Sequence, residues 1–469
     1  MNTISKNILF SIFANGINAV ISILLVLIVP KFVSLDNYSY WQLFVFYCSF
    51  IGFFNIGWVE GIYLKIGGVN YNNLDKIKIR SQLYLFSFYL FLVSFTIVFI
   101  VKNFDQTNKT QVIQFAAISL FLTGLRTFMQ FILQASSRIK DYSKTLLLDR
   151  FIFSILIICT LLLKKYTFES LIICDIIAKI VSLIYTIYLL NDIVFGKIEK
   201  IGLIFKEMIS NISVGINLLI ANIASILTIN FIKFLFEISW GVLLFGQIAL
   251  TISISNLLLV FINAIGIVIF PLLRKLKSNQ LNDFYLTTSA LITKIGILGI
   301  AFYYPLSLFL NQWLPNYSQS VYFMSIIFPI FVFESKVSLI INPYFKALRL
   351  ERKLLFNNLI TLGISGLTSI LAILVLENIT LGVLCILFSV SIKCFILEKT
   401  LQSKLNGLKV YDIYILVVFA AFFVLLNLFI SKYAMFIYII ISLIHIGLNF
   451  NKIIQDIKKL LSLGEQYEN

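Results

Sequence analysis

Fourteen apolar stretches, most of them about 20 residues long, run through this 469-residue chain with only short polar loops between them. About 20 apolar residues is the length of helix that crosses the ~30 Å hydrocarbon core of a bilayer. Hydrocarbon offers the backbone no water to bond. A crossing segment must close its own hydrogen bonds, so apolar spans of this length are helical. The spans fall at 8–30, 41–62, 81–101, 111–136, 145–163, 170–190, 209–232, 241–270, 289–311, 321–345, 354–376, 379–398, 411–431 and 433–450. The predicted fold class is an all-α integral membrane protein with about 14 transmembrane helices.

Composition agrees. The chain is 60% hydrophobic and 12% charged, with mean hydropathy +0.99, whereas a soluble domain is about half apolar and a quarter charged. A net charge of +16 could suit a nucleic-acid binder, but the Lys and Arg residues lie in short runs between spans, not on one soluble module, so no nucleic-acid partner is expected. They alternate instead. One set of connections holds Lys6, then Lys65, Lys76, Lys78 and Arg80, then Arg138, Lys140, Lys144 and Arg150, and so on to Lys452, Lys458 and Lys459. The other holds only Lys31, Lys102, Lys109, Lys164, Lys165, Lys233 and Lys432. By the positive-inside rule both termini are predicted cytoplasmic. The stretch 8–30 is too long for a signal h-region and lacks an Ala-x-Ala site, so it reads as the first span.

Several chemistries find no support. Cys48, Cys159, Cys174, Cys385 and Cys394 lie inside spans without Cys-x-x-Cys spacing, and His445 is the only histidine. No metal site, cofactor or catalytic triad is expected from that set. No Gly-x-x-x-x-Gly-Lys-Ser/Thr loop is present for a nucleotide. The loops are short, and 191–208 is predicted to lie on the membrane surface as an amphipathic helix.

The chain repeats at an offset of 199. Gly16-Ile17-Asn18 falls on Gly215-Ile216-Asn217, Trp41 on Trp240, Lys76-Ile77-Lys78 on Lys275-Leu276-Lys277, and Arg150 on Arg349. The repeat predicts two six-helix lobes, 1–200 and 201–409, related by a pseudo-two-fold along the membrane normal. An extra helical hairpin over 410–450 and a cytoplasmic tail over 451–469 follow. Substrate sites in such transporters sit near the midplane between lobes.

Ionisable residues inside a span cost about 2.5–3.5 kcal/mol each on insertion scales, so each needs a reason. The deepest are Arg126, Asp175, Lys179, Glu334 and Lys336. Asp175 and Lys179, four apart, can pair along one helix face. Glu334 and Lys336, two apart, point to different faces and need other partners. Asp175 and Glu334 are the candidates for ion coupling. Lys294 and Lys393, nearer the span ends, are expected to snorkel. Arg126 has no acidic residue one turn away, which suggests a hydrated cavity or an anionic ligand, because Arg binds diphosphate oxygens bidentately. An alternative is that it bonds carbonyls of a neighbouring helix. Asn15, Asn18 and Ser22 form a polar stripe on the first span, Asn217, Asn222, Ser225 and Asn230 on the seventh, and Ser253, Asn256 and Asn263 on the eighth. Their amides could bond sugar hydroxyls or glue helices together.

Three stretches carry a family resemblance. Pro30–Gly68, with Ser39-Tyr40-Trp41 and Asn55-Ile56-Gly57-Trp58, resembles the second-helix region of Wzx-type polysaccharide flippases. Those proteins belong to the multidrug/oligosaccharidyl-lipid/polysaccharide (MOP) exporter superfamily. Trp313-Leu314-Pro315-Asn316-Tyr317 is similar to the Trp-Leu-Pro-x-Tyr outer loop of that family, and Ile269-Phe270-Pro271-Leu272-Leu273-Arg274 to its Pro-terminated eighth helix. The resemblance implies a non-enzymatic carrier in a bacterial inner membrane. It would flip undecaprenyl-diphosphate-linked oligosaccharide repeat units for O-antigen or capsule synthesis by alternating access. A polysaccharide polymerase and a chain-length regulator are then the expected partners, beside membrane lipids. It also implies a cationic cavity, for which Arg126, Lys233 and Lys336 are the candidates, joined by Asn15, Asn18, Asn217, Asn222 and Asn256. A drug/cation antiporter of the same superfamily would favour an acidic pocket. A membrane polysaccharide polymerase would need a sizeable outer loop, which this chain lacks.

The alternation of charge makes a topology prediction. A reporter fused after residue 469 should read as cytoplasmic and one inserted at Asn316 as external, by alkaline phosphatase and green fluorescent protein fusions. A cytoplasmic signal from Asn316 would reverse the assignment.

Overall fold

A computed structural model describes residues 3–136, 138–164, 166–257, 259, 273, 278–405 and 411–465, which are helical with no strand among them. The side chain of Asn15, Asn263 and most of the Ile269–Arg274 stretch lie outside the described part. The described chain divides into two compact units. One is Met1–Ile226 with Val242–Gly246, and the other is Leu227–Gly241 with Gln247–Asn469.

The first unit opens with α1 (Thr3–Phe32). Its second span is broken into α2 (Leu35–Cys48), a 3-10 turn (Ile51–Asn55) and α3 (Trp58–Ile66), bent by 63°. The break falls on the quoted Asn55–Trp58 motif, where Ile56 and Gly57 both take left-handed backbone angles (φ 48° and 80°). Four helices follow: α4 (Lys76–Lys102), α5 (Asn108–Ala135), α6 (Ile139–Leu162) and α7 (Phe168–Leu189). Side-chain caps start several of them. Asp75 accepts from Lys78 N, Thr107 and Thr110 form a reciprocal capping box, and Thr167 accepts from Ser170 N; each satisfies an N–H that has no intrahelical acceptor. Phe88, Phe91, Phe95 and Phe99 on α4 are more than half exposed, an apolar stripe that suits lipid and not water.

After α8 (Asn191–Val194) comes α9 (Ile201–Ser255). At ~1.5 Å per residue its 55 residues would span about 80 Å, far more than one crossing. It is two helices broken at Gly241, whose φ of 82° and ψ of −179° are non-helical. The second unit continues with α10 (Ser278–Ala301), α11 (Tyr303–Trp313) and a 3-10 turn over Pro315–Tyr317. Its next span pairs α12 (Ser318–Ile327) with α13 (Ile330–Lys336), bent by 51°, and runs on through a π-turn (Val337–Ile341) into α14 (Asn342–Ala347). Then come α15 (Glu351–Ile370) with a second π-turn, α16 (Ile379–Lys404), α17 (Asp412–Phe429) and α18 (Ser431–Glu465).

Among the described residues ten helices are long and apolar enough to cross a membrane, or twelve when each bent pair is one span. That tally takes Gly202–Ser255 as one helix and sets aside the shorter apolar helix Gly16–Phe32. Splitting the former at Gly241 and adding the latter agrees with the predicted total of about fourteen.

Three expectations are corrected. The predicted outer loop at 233–240 is helical, and the break comes at Gly241. The predicted surface helix at 191–208 is broken: the single turn α8 is followed by a non-helical stretch at 195–200, where Arg80 grips the chain, and 201–208 already belong to α9. Arg80 Nε donates to Ile193 O (2.9 Å), Nη1 to Lys197 O (2.7 Å) and Nη2 to Asp192 O (2.7 Å). Gly196 passes so close that a Cβ there would lie 2.7 Å from the guanidinium. Asp192 is further held by Tyr71 Oη (2.5 Å) and Lys76 Nζ (2.6 Å). Partial burial alone would raise the Asp192 carboxyl, but the bonds from Lys76 and Tyr71 outweigh it and hold the group below its ordinary value. Its contribution is therefore complete above the ordinary Asp pKa of about 3.9 and is lost as pH falls through the lowered value.

The equivalent placement of the two tryptophans that the offset of 199 implies is not found. Trp41 lies within α2, whereas Trp240 closes the helix before Gly241. Trp41 and Trp240 therefore sit at different points of their helices, and Lys275–Lys277 lie outside the described residues.

Glycines let backbones meet in the first unit. A Cβ on Gly61 would lie 1.9 Å from Asn211 O, and one on Gly215 2.0 Å from Gly57 O. Gly215→Ala should therefore lower the thermal midpoint of the purified protein, at a cost of about 1–3 kcal/mol for overpacking. Gly363→Ala, in α15 with nothing within 4 Å of the new methyl, should raise it by removing a helix-interior glycine. Equal shifts in the two variants would refute the close-contact reading.

Candidate functional site

Polar side chains in a span need partners, because hydrocarbon supplies none. In the first unit a polar ladder links α5 to α6. Arg126, 8% exposed, places Nη1 2.9 Å from Asp149 Oδ1. One turn along both helices, Gln130 Nε2 donates to Thr145 Oγ1 (3.0 Å), and α7 joins through Ser182 Oγ, which donates to Thr145 O. The expectation of an unpaired guanidinium is thus corrected: the carboxylate comes from the neighbouring helix, where i±4 spacing on α5 could not reveal it. The pairing is incomplete. Arg126 Nε and Nη1 are buried without an aligned hydrogen-bond acceptor, so the guanidinium keeps donors for another anionic or carbonyl oxygen.

Asp175 and Lys179 pair along α7 as their spacing predicts, at 2.6 Å. Lys179 Nζ also donates to Ser119 Oγ (2.6 Å) and lies over the Phe44 ring. Near the break in the second span, Glu60 is 5% exposed and accepts from Asn55 Nδ2 (3.4 Å). Its Oε2 and the Oδ1 of the buried Asn211 have no partner. Sequence reasoning missed Glu60, although it stands inside the predicted span 41–62, where the insertion-cost argument would have singled it out.

The second unit holds a larger ionic cluster. Lys336 and Glu398, both fully buried, lie 3.0 Å apart, and Glu334 meets Lys393 at 3.5 Å. Both partners come from α16, so Glu334 and Lys336 each meet an opposite charge on another helix, although Lys336 Nζ and both Glu398 oxygens lack an aligned hydrogen bond. Beside Glu398, the hydroxyl of Tyr285 on α10 is buried without an aligned hydrogen bond. Lys294 and Lys393 do not snorkel. Lys294 is 9% exposed and binds Asp456 of α18 at 3.0 Å, and Lys393 is 6% exposed. Of the missed carboxylates, Glu398 and Asp456 sit at or beyond the ends of predicted spans, where solvation is the ordinary expectation, and Asp149 lies in the first turns of its span.

The remaining candidates are dispersed. Asn18 is half-buried with an unpartnered Oδ1, and Asn256 likewise, while Asn217 and Asn222 are exposed on α9. Lys233 is half-buried on α9, one turn before the buried Glu237. Lys336, with no exposure and a carboxylate at 3.0 Å, is not placed to line a cavity, which corrects that assignment. Among the described residues no group of His, Cys, Asp and Glu is arranged to hold a metal ion.

No protein-family model matches the chain, and no curated protein matches it in sequence. Solved structures do match in fold. The lipid II flippase MurJ, in an inward closed conformation, gives a TM-score of 0.67 at 12% identity, covering 95% of this chain and 100% of that one. An inward-facing multidrug resistance MATE family transporter of the MOP superfamily gives 0.59 at 13% identity, covering 84% and 99%. A MOP superfamily transporter from Pyrococcus furiosus Vc1 (DSM3638) gives 0.53 at 11% identity, covering 86% and 96%. The fold is that of the MOP-superfamily transporters. A chain with this MOP fold and these apolar helices is a multi-pass membrane protein, and its buried ion pairs belong to a membrane interior.

Those pairs make a direct prediction for the MOP-fold chain. Asp149→Asn strands the Arg126 charge and should destabilise by about 3–5 kcal/mol, read as a fall in thermal midpoint in detergent. Arg126→Leu with Asp149→Leu, which removes both charges, should recover most of that loss. A double variant as unstable as Asp149→Asn would show that the pair is not the cause.

Proposed function

We propose that this protein is a flippase of lipid-linked oligosaccharides, moving undecaprenyl-diphosphate-linked repeat units from the inner to the outer leaflet of a bacterial inner membrane by alternating access. Its termini lie in the cytoplasm, and its product feeds a polysaccharide polymerase with its chain-length regulator. The observation that carries this reading is the full-length fold likeness to a lipid II flippase. A lipid II flippase moves a lipid-linked sugar, and the sequence resemblance to polysaccharide flippases points to the same substrate class.

The charge pattern supports it. Arg126 keeps buried donors beyond its bond to Asp149, and a guanidinium with free donors suits a diphosphate. In this reading Arg126 and Lys233 contact the diphosphate and Asn15, Asn18, Asn217, Asn222 and Asn256 the sugars. Asp175 and Glu334 remain the candidates for ion coupling, and each already has a lysine partner.

A drug/cation antiporter is the second reading. It draws on the MATE family likeness and on Glu60, a buried carboxylate whose nearest bonded partner is an amide. An acidic group of that kind suits a cationic cargo.

The test is restoration of surface polysaccharide in a strain lacking its own flippase, with membrane abundance measured for each variant. Arg126→Lys should restore it weakly, because it keeps charge and loses bidentate geometry. The Arg126→Leu, Asp149→Leu double variant should be present at normal abundance yet restore little. Full restoration by that double variant would remove Arg126 from the substrate path. Drug resistance without polysaccharide restoration by the native chain would favour the antiporter.

A further inference from the structure

A polar cavity of about 470 Å³ lies within the second unit, where α10, the start of α17 and the latter part of α18 meet. Its origin is legible along α18. His445, Asn449, Lys452 and Asp456 stand at i, i+4, i+7 and i+11, one polar face on an otherwise apolar helix. At ~1.5 Å per residue the 35 residues of α18 cover about 50 Å, more than the ~30 Å hydrocarbon core. A helix entering hydrocarbon near Ser431 therefore leaves it near residue 450, and the cavity sits at headgroup depth.

The walls have definite chemistry. Lys294, nine-tenths buried, is bound to Asp456 at 3.0 Å, so this pair is neutral and fixed. Thr293, 2% exposed, also lines the cavity, and its hydroxyl is buried without a partner. The lining also carries two further opposite charges, the ammonium of exposed Lys452 and the carboxylate of half-buried Asp412, which Lys294 also attracts. Beside them α18 presents Ile444 (56% exposed) and Leu448 (81%). A ligand fitting this slot carries a negative and a positive group on one short polar head and has apolar chains alongside.

We propose that this cavity binds the headgroup of a zwitterionic aminophospholipid from the surrounding leaflet. Its phosphate would meet Lys452 and the Thr293 hydroxyl, and its primary ammonium would meet Asp412. The site is separate from Arg126 and its ladder, and the inference does not depend on what the protein transports. Its consequence is that the clasp between α10, α17 and α18 is completed by a lipid. The protein's stability then depends on the headgroup composition of the membrane.

The test uses the full-length purified protein in detergent, titrated with phosphatidylethanolamine, phosphatidylcholine or phosphatidylglycerol of matched chains. Thermal midpoint and the lipid retained in native mass spectrometry are both read. Phosphatidylethanolamine should raise the midpoint and be retained several-fold more than the others, because the quaternary amine of phosphatidylcholine cannot donate to Asp412 and phosphatidylglycerol has no cation. Asp412→Asn should bring phosphatidylethanolamine down to the phosphatidylcholine level. Lys452→Ala, at an exposed position, should weaken retention of both, while Lys102→Ala, exposed on α4 in the other unit, should change neither. Equal retention of phosphatidylglycerol by the native protein would overturn the proposal, as would undiminished phosphatidylethanolamine retention in Lys452→Ala or a full stabilising effect from soluble phosphoethanolamine alone.

Discussion

Charge pairing inside hydrocarbon is the constraint on which the rest of this structure depends. Arg126, Lys179, Lys294, Lys336 and Lys393 each lie within 4 Å of a carboxylate. Lys294 and Asp456 lie at headgroup depth; at about 2.5–3.5 kcal/mol per unpaired charge, leaving the other eight groups apart would cost more than the 5–15 kcal/mol by which a protein is ordinarily stable. Four of the five pairs join different helices, so they fix which helices are neighbours and in which rotation. The second unit depends most on this, since α16 anchors α13 twice, through Glu398 to Lys336 and through Lys393 to Glu334.

Shape completes what charge begins. Lipid tails are as apolar as leucine, so close backbone approach takes the place of the hydrophobic effect as a source of contact. Gly57, Gly61 and Gly215 bring α3 and α9 into backbone contact, and the left-handed angles at Ile56 and Gly57 turn the chain into that position. The bent second span is also where Glu60, Asn55 and Asn211 leave oxygens without partners. A broken helix with unsatisfied polar atoms is tolerable only where protein or water covers it. The break is therefore a place where this fold keeps polar capacity in reserve.

Much of the architecture was legible because it follows from one-dimensional quantities. Span length sets helix number, and the i,i+4 spacing of Asp175 and Lys179 sets their pairing. What could not be read was any relation between helices. Arg126 looked unpaired because its partner is 23 positions away on α6, and Lys336 looked available because Glu398 is 62 positions away on α16. The outer loop expected at 233–240 was misplaced for a related reason: Lys233 and Glu237 suggest solvent, yet one turn apart on one helix their charges can be accommodated within it.

The same logic separates residues that hold the fold from those free to meet a ligand. A cation whose donors are all taken is structural, whatever its depth. Lys179 comes nearest to that, donating to Ser119 with Asp175 Oδ2 at 2.6 Å and Phe44 beneath it, although Asp175 Oδ2 receives no aligned hydrogen bond. Arg126 differs in number and geometry of donors. A guanidinium has five N–H groups in a fixed plane, and one carboxylate approached at Nη1 does not use them, which leaves Nε and Nη1 without aligned acceptors. Removing the pair with two leucines takes away the structural need and the binding capacity together. Because only the first is replaced by packing, a variant that folds normally and fails to transport isolates the second. That separation of stability from activity is what distinguishes a substrate contact at Arg126 from a helix brace.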